Sequence, residues 1–159
     1  MDNFKTRKAT PEDSKRVWEI RNHPEARRIS NNREEIIFEK HNYWFKNKYF
    51  NRVENYCYVL EDENKKAIGY CRFDYDKDND NYIISIAIDF DKQGKGLGGY
   101  FLKKSLGLIN IKKDIIAQTF KNNIASYKIF KNNGFKKYKE DEDNFYLKYN
   151  MTSYIINHP

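Results

Sequence analysis

Cysteine is scarce in this sequence, with two residues among 159. Cys57 and Cys71 have neither the CxxC spacing nor the spacing of a metal-ligand set, and both lie in apolar runs typical of strands. The sequence therefore indicates neither a disulfide framework nor a metal site, and we expect two buried free thiols.

Long apolar runs are also missing. The sequence has no candidate transmembrane helix, signal peptide, lipidation motif, internal repeat, linker or low-complexity tail. We therefore expect a cytoplasmic protein with no membrane partner, folded as a single domain over residues 1–159. Aromatic residues make up 16% of the chain and supply bulk for a core, although only 39% of the residues are hydrophobic.

Charge, by contrast, is abundant, and the net charge is +7. This charge suits either nucleic acid or a small polyanion such as CoA or a nucleotide-sugar. The lysines are spread along the chain rather than clustered, and no nucleic-acid-binding motif is present. We therefore expect a small-molecule partner and no nucleic acid.

Alternating aspartates from Asp74 to Asp80 resemble the start of an EF-hand calcium loop. The sixth position of that loop would be Asn79 where glycine is required, and the twelfth would be Ser85 where glutamate is required. We therefore expect a solvated acidic turn and no metal ion.

Hydrophobic periodicity predicts an α+β fold. Strands are predicted at 4–9, 56–61, 67–75, 83–88, 114–120, 135–139 and 145–156, and helices at 10–22, 33–49, 97–109 and 125–132. Residues 25–32 are polar and predict a turn. This order gives a mixed sheet of about seven strands with one parallel pair, because a crossover helix joins the fourth strand to the fifth.

Residues 83–102 are the most informative stretch. An apolar strand leads into four glycines between Gly94 and Gly99 and then into a helix, an arrangement that suits phosphate because the first helix N–H groups point outward. Lys95 adds a full positive charge. A P-loop is excluded because no Gly-Lys-Ser/Thr follows, and the dinucleotide fingerprint is excluded by the glycine spacing and by the lack of an acidic residue about 20 residues later.

Two motifs resemble the GNAT N-acetyltransferase family. Gln93-x-x-Gly96-x-Gly98 is similar to its acetyl-CoA pyrophosphate loop. Residues 123–135 are similar to its second signature, which pairs an asparagine with Ser or Ala, an aromatic residue and Gly-Phe. One helix, one strand and one turn separate the two motifs, as in the family, and the resemblance covers nearly the whole chain.

The resemblance implies a splayed parallel strand pair, helices on both faces of the sheet, and acetyl-CoA as cosubstrate. The pantetheine arm would pair with the open edge of the fourth strand, and the N–H of Ile88 would polarise the thioester carbonyl and stabilise the tetrahedral oxyanion. The implied CoA contacts are Ile86, Ile88, Gln93, Gly94, Lys95, Gly96, Leu97, Gly98, Asn123, Ser126 and Phe130.

Phe130 departs from the family pattern. Many members have tyrosine here, as general acid to the CoA thiolate, and phenylalanine cannot donate a proton. Another group or a water would then protonate the thiolate, or the thiolate would leave as such. Tyr127 should face another side of the helix. This departure keeps open a non-catalytic acetyl-CoA-binding module.

The segment from Arg21 to Trp44 is similar to the RNxPxxR…ExHxxW pattern of GNAT enzymes that acetylate amino sugars on nucleotide carriers, as in pseudaminic-acid biosynthesis. Ribosomal-protein N-acetyltransferases share part of it. The implied acceptor residues are Arg21, Asn22, Arg27 and His41, with Arg28 also available to a nucleotide diphosphate. The alternatives are a solvated basic turn and, for His41, partly buried packing against Trp44 and Phe45.

We therefore expect an acetyl-CoA-dependent N-acetyltransferase, a monomer or a homodimer, that acetylates an amino sugar on a nucleotide carrier. A protein N-terminus or another small amine is the alternative acceptor. The attacking amine must be neutral, and the fourth strand lacks the glutamate that usually assists the family. Ser85, Asp74 and His41 remain as candidates for accepting the proton or positioning a water.

Overall fold

Seven strands form one sheet in this computed structural model, which describes residues 1–30 and 32–151. The strands are β1 (Lys5–Lys8), β2 (Tyr56–Glu61), β3 (Ala67–Asp76), β4 (Asn81–Ile88), β5 (Ile115–Phe120), β6 (Lys136–Glu140) and β7 (Asn144–Tyr149). The helices are α1 (Ser14–Asn22), α2 (Pro24–Arg28), α3 (Phe38–Phe50), α4 (Leu97–Leu108) and α5 (Ile124–Asn132), with 3₁₀ turns at Pro11–Asp13 and Phe90–Lys92.

The strand order is β1-β2-β3-β4-β5-β7-β6, and β4–β5 is the parallel pair. The ladder between these two strands contains only Tyr82 with Ile115 and Ile83 with Ile116, although β4 continues to Ile88. The two strands therefore splay apart beyond Ile83. The α+β class, the seven strands and the splayed parallel pair are confirmed.

Two hydrophobic cores lie on opposite faces of the sheet. Helices α4 and α5 cover one face with Phe101, Leu102 and Phe130, and helices α1 and α3 cover the other with Val17 and Phe45. Cys71 lies in the first core and Cys57 in the second. Both are buried free thiols, as predicted, and burial raises the pKa of Cys71 to about 12.

The predicted helix start at Thr10 is confirmed, although its first turn is a 3₁₀ turn. The Thr10 N–H donates to Asp13 Oδ2 at 2.7 Å. Arg7 holds Asp13 at 2.7 Å and Glu61 at 2.7 Å. This network ties the beginning of the first helical segment to β1 and β2.

The helix predicted at 33–49 begins later, at Phe38. Two α1 side chains hold Ile36 outside the helix, because Trp18 Nε1 donates to its carbonyl at 2.7 Å and Asn22 Oδ1 accepts from its N–H at 2.8 Å. Ile37 is the extended residue before α3 and is 55% exposed. The predicted row of Ile37, His41 and Phe45 is therefore wrong at its first member.

The turn predicted at 25–32 is also wrong in part, because Pro24–Arg28 is helical. Proline suits the first helical position, and His23 Nδ1 accepts from the Glu25 N–H at 3.2 Å. At the other end of the chain, β7 ends at Tyr149 rather than at 156. Residues 152–156 of that predicted strand lie outside the described residues.

Gly69 of β3 makes room for the end of β4. A Cβ on Gly69 would lie 2.8 Å from Ile88 Cδ1 and 3.0 Å from the backbone oxygen of Ala87. We expect Gly69→Ala to lower the free energy of unfolding by about 1–3 kcal/mol, because the backbone of β4 has to shift. Urea denaturation measures this change.

Gly107→Ala on α4 is the matched control, because a Cβ there meets nothing within 4 Å. This variant should keep the free energy of unfolding or raise it by up to about 1 kcal/mol, since alanine favours the helix over glycine. Equal losses in the two variants would show that contact with β4 is not the reason for glycine at position 69.

Candidate active site

The splayed half of β4 leaves backbone groups without a strand partner. The Tyr82 N–H donates to the Asp114 carbonyl at 2.9 Å, on the β5 side, and the Asp89 N–H donates to Ile68 at 2.7 Å, on the β3 side. Because alternate residues of a strand point their N–H groups to the same side, those of Ile86 and Ile88 face the gap towards β5. Such groups need partners, so this edge suits an extended ligand that carries amides.

The Ile88 peptide is fixed from two sides. Gln93 Nε2 donates to the Ile88 carbonyl at 3.0 Å. The N–H of Ile88 is then the group that faces the gap. Arg16 holds the next residue, Asp89, at 2.6 Å and donates from Nε to the Ala67 carbonyl at 2.9 Å. A fixed N–H donor is what stabilisation of a developing oxyanion requires.

The glycine-rich loop after β4 has the geometry of an anion site. Gly94 and Gly96 have φ of 78° and 74°, values that other residues rarely adopt, and Gly96 directly precedes α4. The first N–H groups of α4 have no partner within the helix and carry its partial positive charge. Lys95 is exposed beside them, whereas the Leu97 side chain is buried and offers a ligand only its N–H.

Helix α5 is packed closely against this loop. A Cβ on Gly98 would lie 2.8 Å from Ile129 Cδ1, so glycine allows the close approach of the two helices. Asn123 caps α5, and its Oδ1 accepts from the Ser126 N–H at 3.2 Å. The amide nitrogen of Asn123 is not used by this cap, and its predicted CoA contact stays a prediction.

Phe130 lies in the core and is 3% exposed. Its ring centroid is 5.0 Å from that of Phe135. Tyr127 packs against Phe145, with ring centroids 4.9 Å apart, and takes a different side of α5. The Tyr127 hydroxyl therefore does not replace the proton donor that a tyrosine at position 130 would supply.

A second candidate surface, which we name the acceptor cleft, is the α1–α3 face of the sheet at β3 and β4. Its floor consists of alternate residues from β3 and β4, with Arg72 opposite Ser85 and Asp74 opposite Ile83. Helices α1 and α3 form the walls with Arg21 and Trp44. Ser85 and its neighbours on this face are half-buried, so the face is only partly covered.

Asp74 is occupied by three donors in this cleft. Its Oδ1 accepts from the Tyr49 hydroxyl at 2.6 Å, and its Oδ2 accepts from Arg72 Nη1 at 2.9 Å and lies 3.3 Å from Lys48 Nζ. Burial raises the pKa of the Tyr49 hydroxyl. The geometry makes Asp74 a counter-ion to Arg72 and Lys48, and its expected role in accepting the proton or positioning a water stays a prediction.

His41 is buried at 1% exposure, and its ring packs against Trp44 and Phe45. Its Nε2 donates to the Ser14 carbonyl at 3.0 Å, so Nδ1 accepts from Arg21 Nη1 at 3.4 Å. Burial and the charge of Arg21 lower the pKa of His41 to about 4. His41 therefore positions Arg21 from a buried site, and its expected binding and catalytic roles stay predictions.

The remaining expected acceptor residues serve local structure. Asn22 accepts from Ile36, and Arg27 donates to the carbonyls of Asn22 and Arg33 at 3.1 and 3.3 Å. Arg28 is exposed and pairs with Glu25 at 3.0 Å. Arg21 alone of the expected set lies in the acceptor cleft.

Sequence reasoning missed Arg72 and Trp44 as cleft residues, and Lys48 and Tyr49 as partners of Asp74. A signal was present in β3, where Arg72 and Asp74 alternate with buried Cys71 and Phe73. Polar side chains on a strand face that a helix covers need partners from that helix. The helix was predicted, but its position over β3 was not.

A cavity of about 300 Å³ lies at the end of β5. The residues that line it are Arg28, Arg33, Phe120, Lys121, Asn122, Glu142 and Asp143. Over residues 1–30 and 32–151, no group of His, Cys, Asp and Glu could hold a metal ion. In the same part of the chain, no helix is long and apolar enough to cross a membrane.

Comparison with known proteins agrees with this geometry. The family described as "Acetyltransferase (GNAT) domain" matches residues 4–136. No curated protein matches the chain in sequence.

Several solved structures share the fold. A candidate phosphinothricin N-acetyltransferase is 26% identical, with a TM-score of 0.78 over 93% of this chain and 98% of that one. YncA, a candidate acetyltransferase from Salmonella typhimurium with acetyl-CoA, is 19% identical, with a TM-score of 0.77 and 94% coverage of both chains. Spermidine N-acetyltransferase from Vibrio cholerae, in complex with CoA and spermine, is 16% identical, with a TM-score of 0.79 and coverage of 98% and 99%.

The burial of His41 predicts a pH-dependent stability. Its pKa is about 4 in the folded chain and 6.5 ordinarily, so between these values the unfolded chain binds more protons. The free energy of unfolding should therefore fall by about 3 kcal/mol as the pH drops through this window. In His41→Gln, the glutamine amide can donate to the Ser14 carbonyl and accept from Arg21 without titrating. The part of the stability loss that His41 contributes should therefore be absent. Urea denaturation from pH 7 to 4 measures both, and an unchanged slope in the variant would contradict this role.

Proposed function

The chain belongs to the GNAT acetyltransferase family, and we propose that this N-acetyltransferase transfers the acetyl group of acetyl-CoA to the primary amine of an amino sugar on a nucleotide carrier. One observation carries the proposal. The end of β4 has an open edge on its β5 side and the half-open acceptor cleft on its α1–α3 face. A donor on the edge and an acceptor in the cleft would meet at Ile88.

The residues of this chain fit acetyl-CoA, which supplies the acetyl group as an activated thioester. The N–H groups of Ile86 and Ile88 that face the gap suit the amide carbonyls of an extended pantetheine arm. The positive φ of Gly94 and Gly96 and the outward N–H groups of α4 suit a pyrophosphate. Lys95, Leu97, Gly98, Asn123 and Ser126 border the same loop and helix ends, and Phe130 packs in the core below them.

The Ile88 N–H would donate to the thioester oxygen, and Gln93 and Arg16 hold Ile88 in place through its carbonyl and through Asp89. The attacking amine has to be neutral, and the described residues offer no free carboxylate in the cleft because Asp74 is occupied. A water chain that begins at Ser85 would take the proton. Since Phe130 cannot protonate the leaving group, the sulfur would leave as thiolate or take its proton from water.

Two features support a nucleotide-linked acceptor. Within the described residues, Arg21 has no carboxylate at ion-pair distance, so the cleft carries excess positive charge. The cavity at the end of β5 is lined by Arg28, Arg33 and Lys121 together with Glu142 and Asp143, so it adds only a small excess of positive charge. This charge opposes a polyamine acceptor, and the spermidine acetyltransferase structures, at 16–17% identity, share the fold alone.

An amino-acid-like acceptor is the second candidate. It is favoured by the structure described as a candidate phosphinothricin N-acetyltransferase, which is 26% identical over 93% of this chain. A protein N-terminus is the third candidate, and no residue of the described cleft specifically favours it.

A thiol-release assay with acetyl-CoA tests the proposal. The panel contains a UDP-linked 4-amino sugar, phosphinothricin, spermidine and a ribosomal-protein N-terminal peptide. We expect acetyl-CoA to raise the Tm and the UDP-linked sugar to be turned over with the highest kcat/KM. Stabilisation without turnover of any amine would instead indicate a non-catalytic acetyl-CoA-binding module, and preferred turnover of another amine would reassign the acceptor.

Gly96→Val tests the cosubstrate loop. Valine at φ +74° is strained, so the loop has to refold and lose its array of N–H groups. We expect the Kd for acetyl-CoA, measured by calorimetry, to rise at least ~10-fold. Gly107→Ala, remote from the loop on α4, should leave the Kd unchanged, and an unchanged Kd in Gly96→Val would remove this loop from the site.

A further inference from the structure

Two guanidinium groups lie against one indole ring in the acceptor cleft. The Cζ atom of Arg21 is 4.4 Å from the ring centroid of Trp44, and that of Arg72 is 5.1 Å from it. Arg21 comes from α1, Trp44 from α3 and Arg72 from β3. We name these three residues the arginine pair on Trp44. Its members are brought together by the fold, since they are far apart in the sequence.

The arginine pair on Trp44 is under-neutralised. Asp74 contacts Arg72 at 2.9 Å but also serves Tyr49 and Lys48, and Arg21 has no carboxylate within ion-pair distance in the described part of the chain. Arg72 Nε is buried without a hydrogen-bond partner. Burial and the charge of Arg72 lower the pKa of Arg21. A partly buried cation without a carboxylate partner has a desolvation cost, which a bound anion would offset.

Several contacts hold the pair in place. His41 accepts from Arg21 Nη1 at 3.4 Å and is itself fixed by the Ser14 carbonyl. Asp74 orients Arg72, and Tyr49 fixes Asp74. Two guanidinium forks in set positions on an aromatic ring suit a planar or tetrahedral oxyanion, which they can bind with paired hydrogen bonds.

The pair also lies at a defined distance from the transfer centre. Arg72 is opposite Ser85, which precedes Ile88 by three residues, or about 10 Å of strand. Arg72 Nη1 points towards Asp74, which is opposite Ile83 and therefore further from Ile88. An anion on this pair and an amine at Ile88 would thus occupy opposite ends of the acceptor.

We propose that Arg21 and Arg72, on the ring of Trp44, bind an anionic group of the acceptor and so select amines that carry a phosphate or carboxylate several bonds from the acetylated nitrogen. This inference rests on the proposed acetyl transfer and assigns the substrate class of the same site. It disfavours polyamines, which the pair repels, and α-amino acids without a distal acid, whose amine and carboxylate share one carbon.

The test compares Arg21→Gln with Arg52→Gln, an exposed arginine outside the cleft, in the thiol-release assay. Two matched acceptor pairs separate the sources of the anion. One is a UDP-linked 4-amino sugar against the free 4-amino sugar, and the other is 5-aminopentanoate against pentylamine. In the wild type we expect kcat/KM to be ~10–100-fold higher for the anionic member of at least one pair.

In Arg21→Gln, that preference should fall to within a few-fold of unity, mainly through KM, while the KM for acetyl-CoA stays unchanged. Arg72→Gln should lower the preference in the same way. Arg72→Lys keeps the charge and the contact with Asp74, so it should retain part of the preference and replaces Arg72→Gln in the test if that variant does not fold. Arg52→Gln should match the wild type. If the preference is lost only in the UDP pair, the anion bound is a phosphate. If it is lost only in the pentanoate pair, the anion bound is a carboxylate.

Binding gives a readout that is independent of turnover. With CoA saturating its own site, inorganic pyrophosphate should raise the Tm of the wild type but not that of Arg21→Gln. Equal kcat/KM for charged and uncharged acceptors in the wild type, or a preference that survives in Arg21→Gln, would overturn the inference while leaving acetyl transfer in place. Absence of acetyl-CoA binding would instead overturn the proposed function.

Discussion

The unpaired edge of β4 is the constraint on which the site depends. Among the described residues, the strand has no partner on its β5 side beyond Ile83, although it remains fully paired with β3. A protein interior rarely leaves such groups unsatisfied, so the gap is a place for a ligand backbone. The glycine loop, the close packing of Gly98 on α5 and the Ile88 peptide are all arranged along this gap.

The opposite face of β4 carries a network of polar and charged side chains. Arg72, Asp74 and Tyr49 form a partly buried network under α1 and α3, where an apolar core would cost less to desolvate. Such a network fixes side chains in one arrangement, and His41 extends it to Arg21 without carrying a charge itself. The face therefore combines a rigid floor with excess positive charge.

Local signals predicted most of the architecture. Periodicity located the strands, and the predicted helix start at Thr10 is confirmed. The failures came from long-range contacts. Side chains of Trp18 and Asn22 kept Ile36 out of α3, and no pattern around residue 36 could show this. The cosubstrate loop was predictable because its residues are adjacent in sequence, whereas the acceptor cleft was mostly missed because Arg72 and Trp44 meet only after the sheet and helices pack.

Gln93 has a mechanical consequence. Its backbone belongs to the turn that enters the glycine loop, and its side chain bonds the carbonyl of Ile88. One residue thus connects the proposed diphosphate loop to the residue that carries the proposed oxyanion donor. A site connected in this way needs little rearrangement when its ligand arrives, and binding energy gained at the diphosphate remains available at the reacting carbonyl.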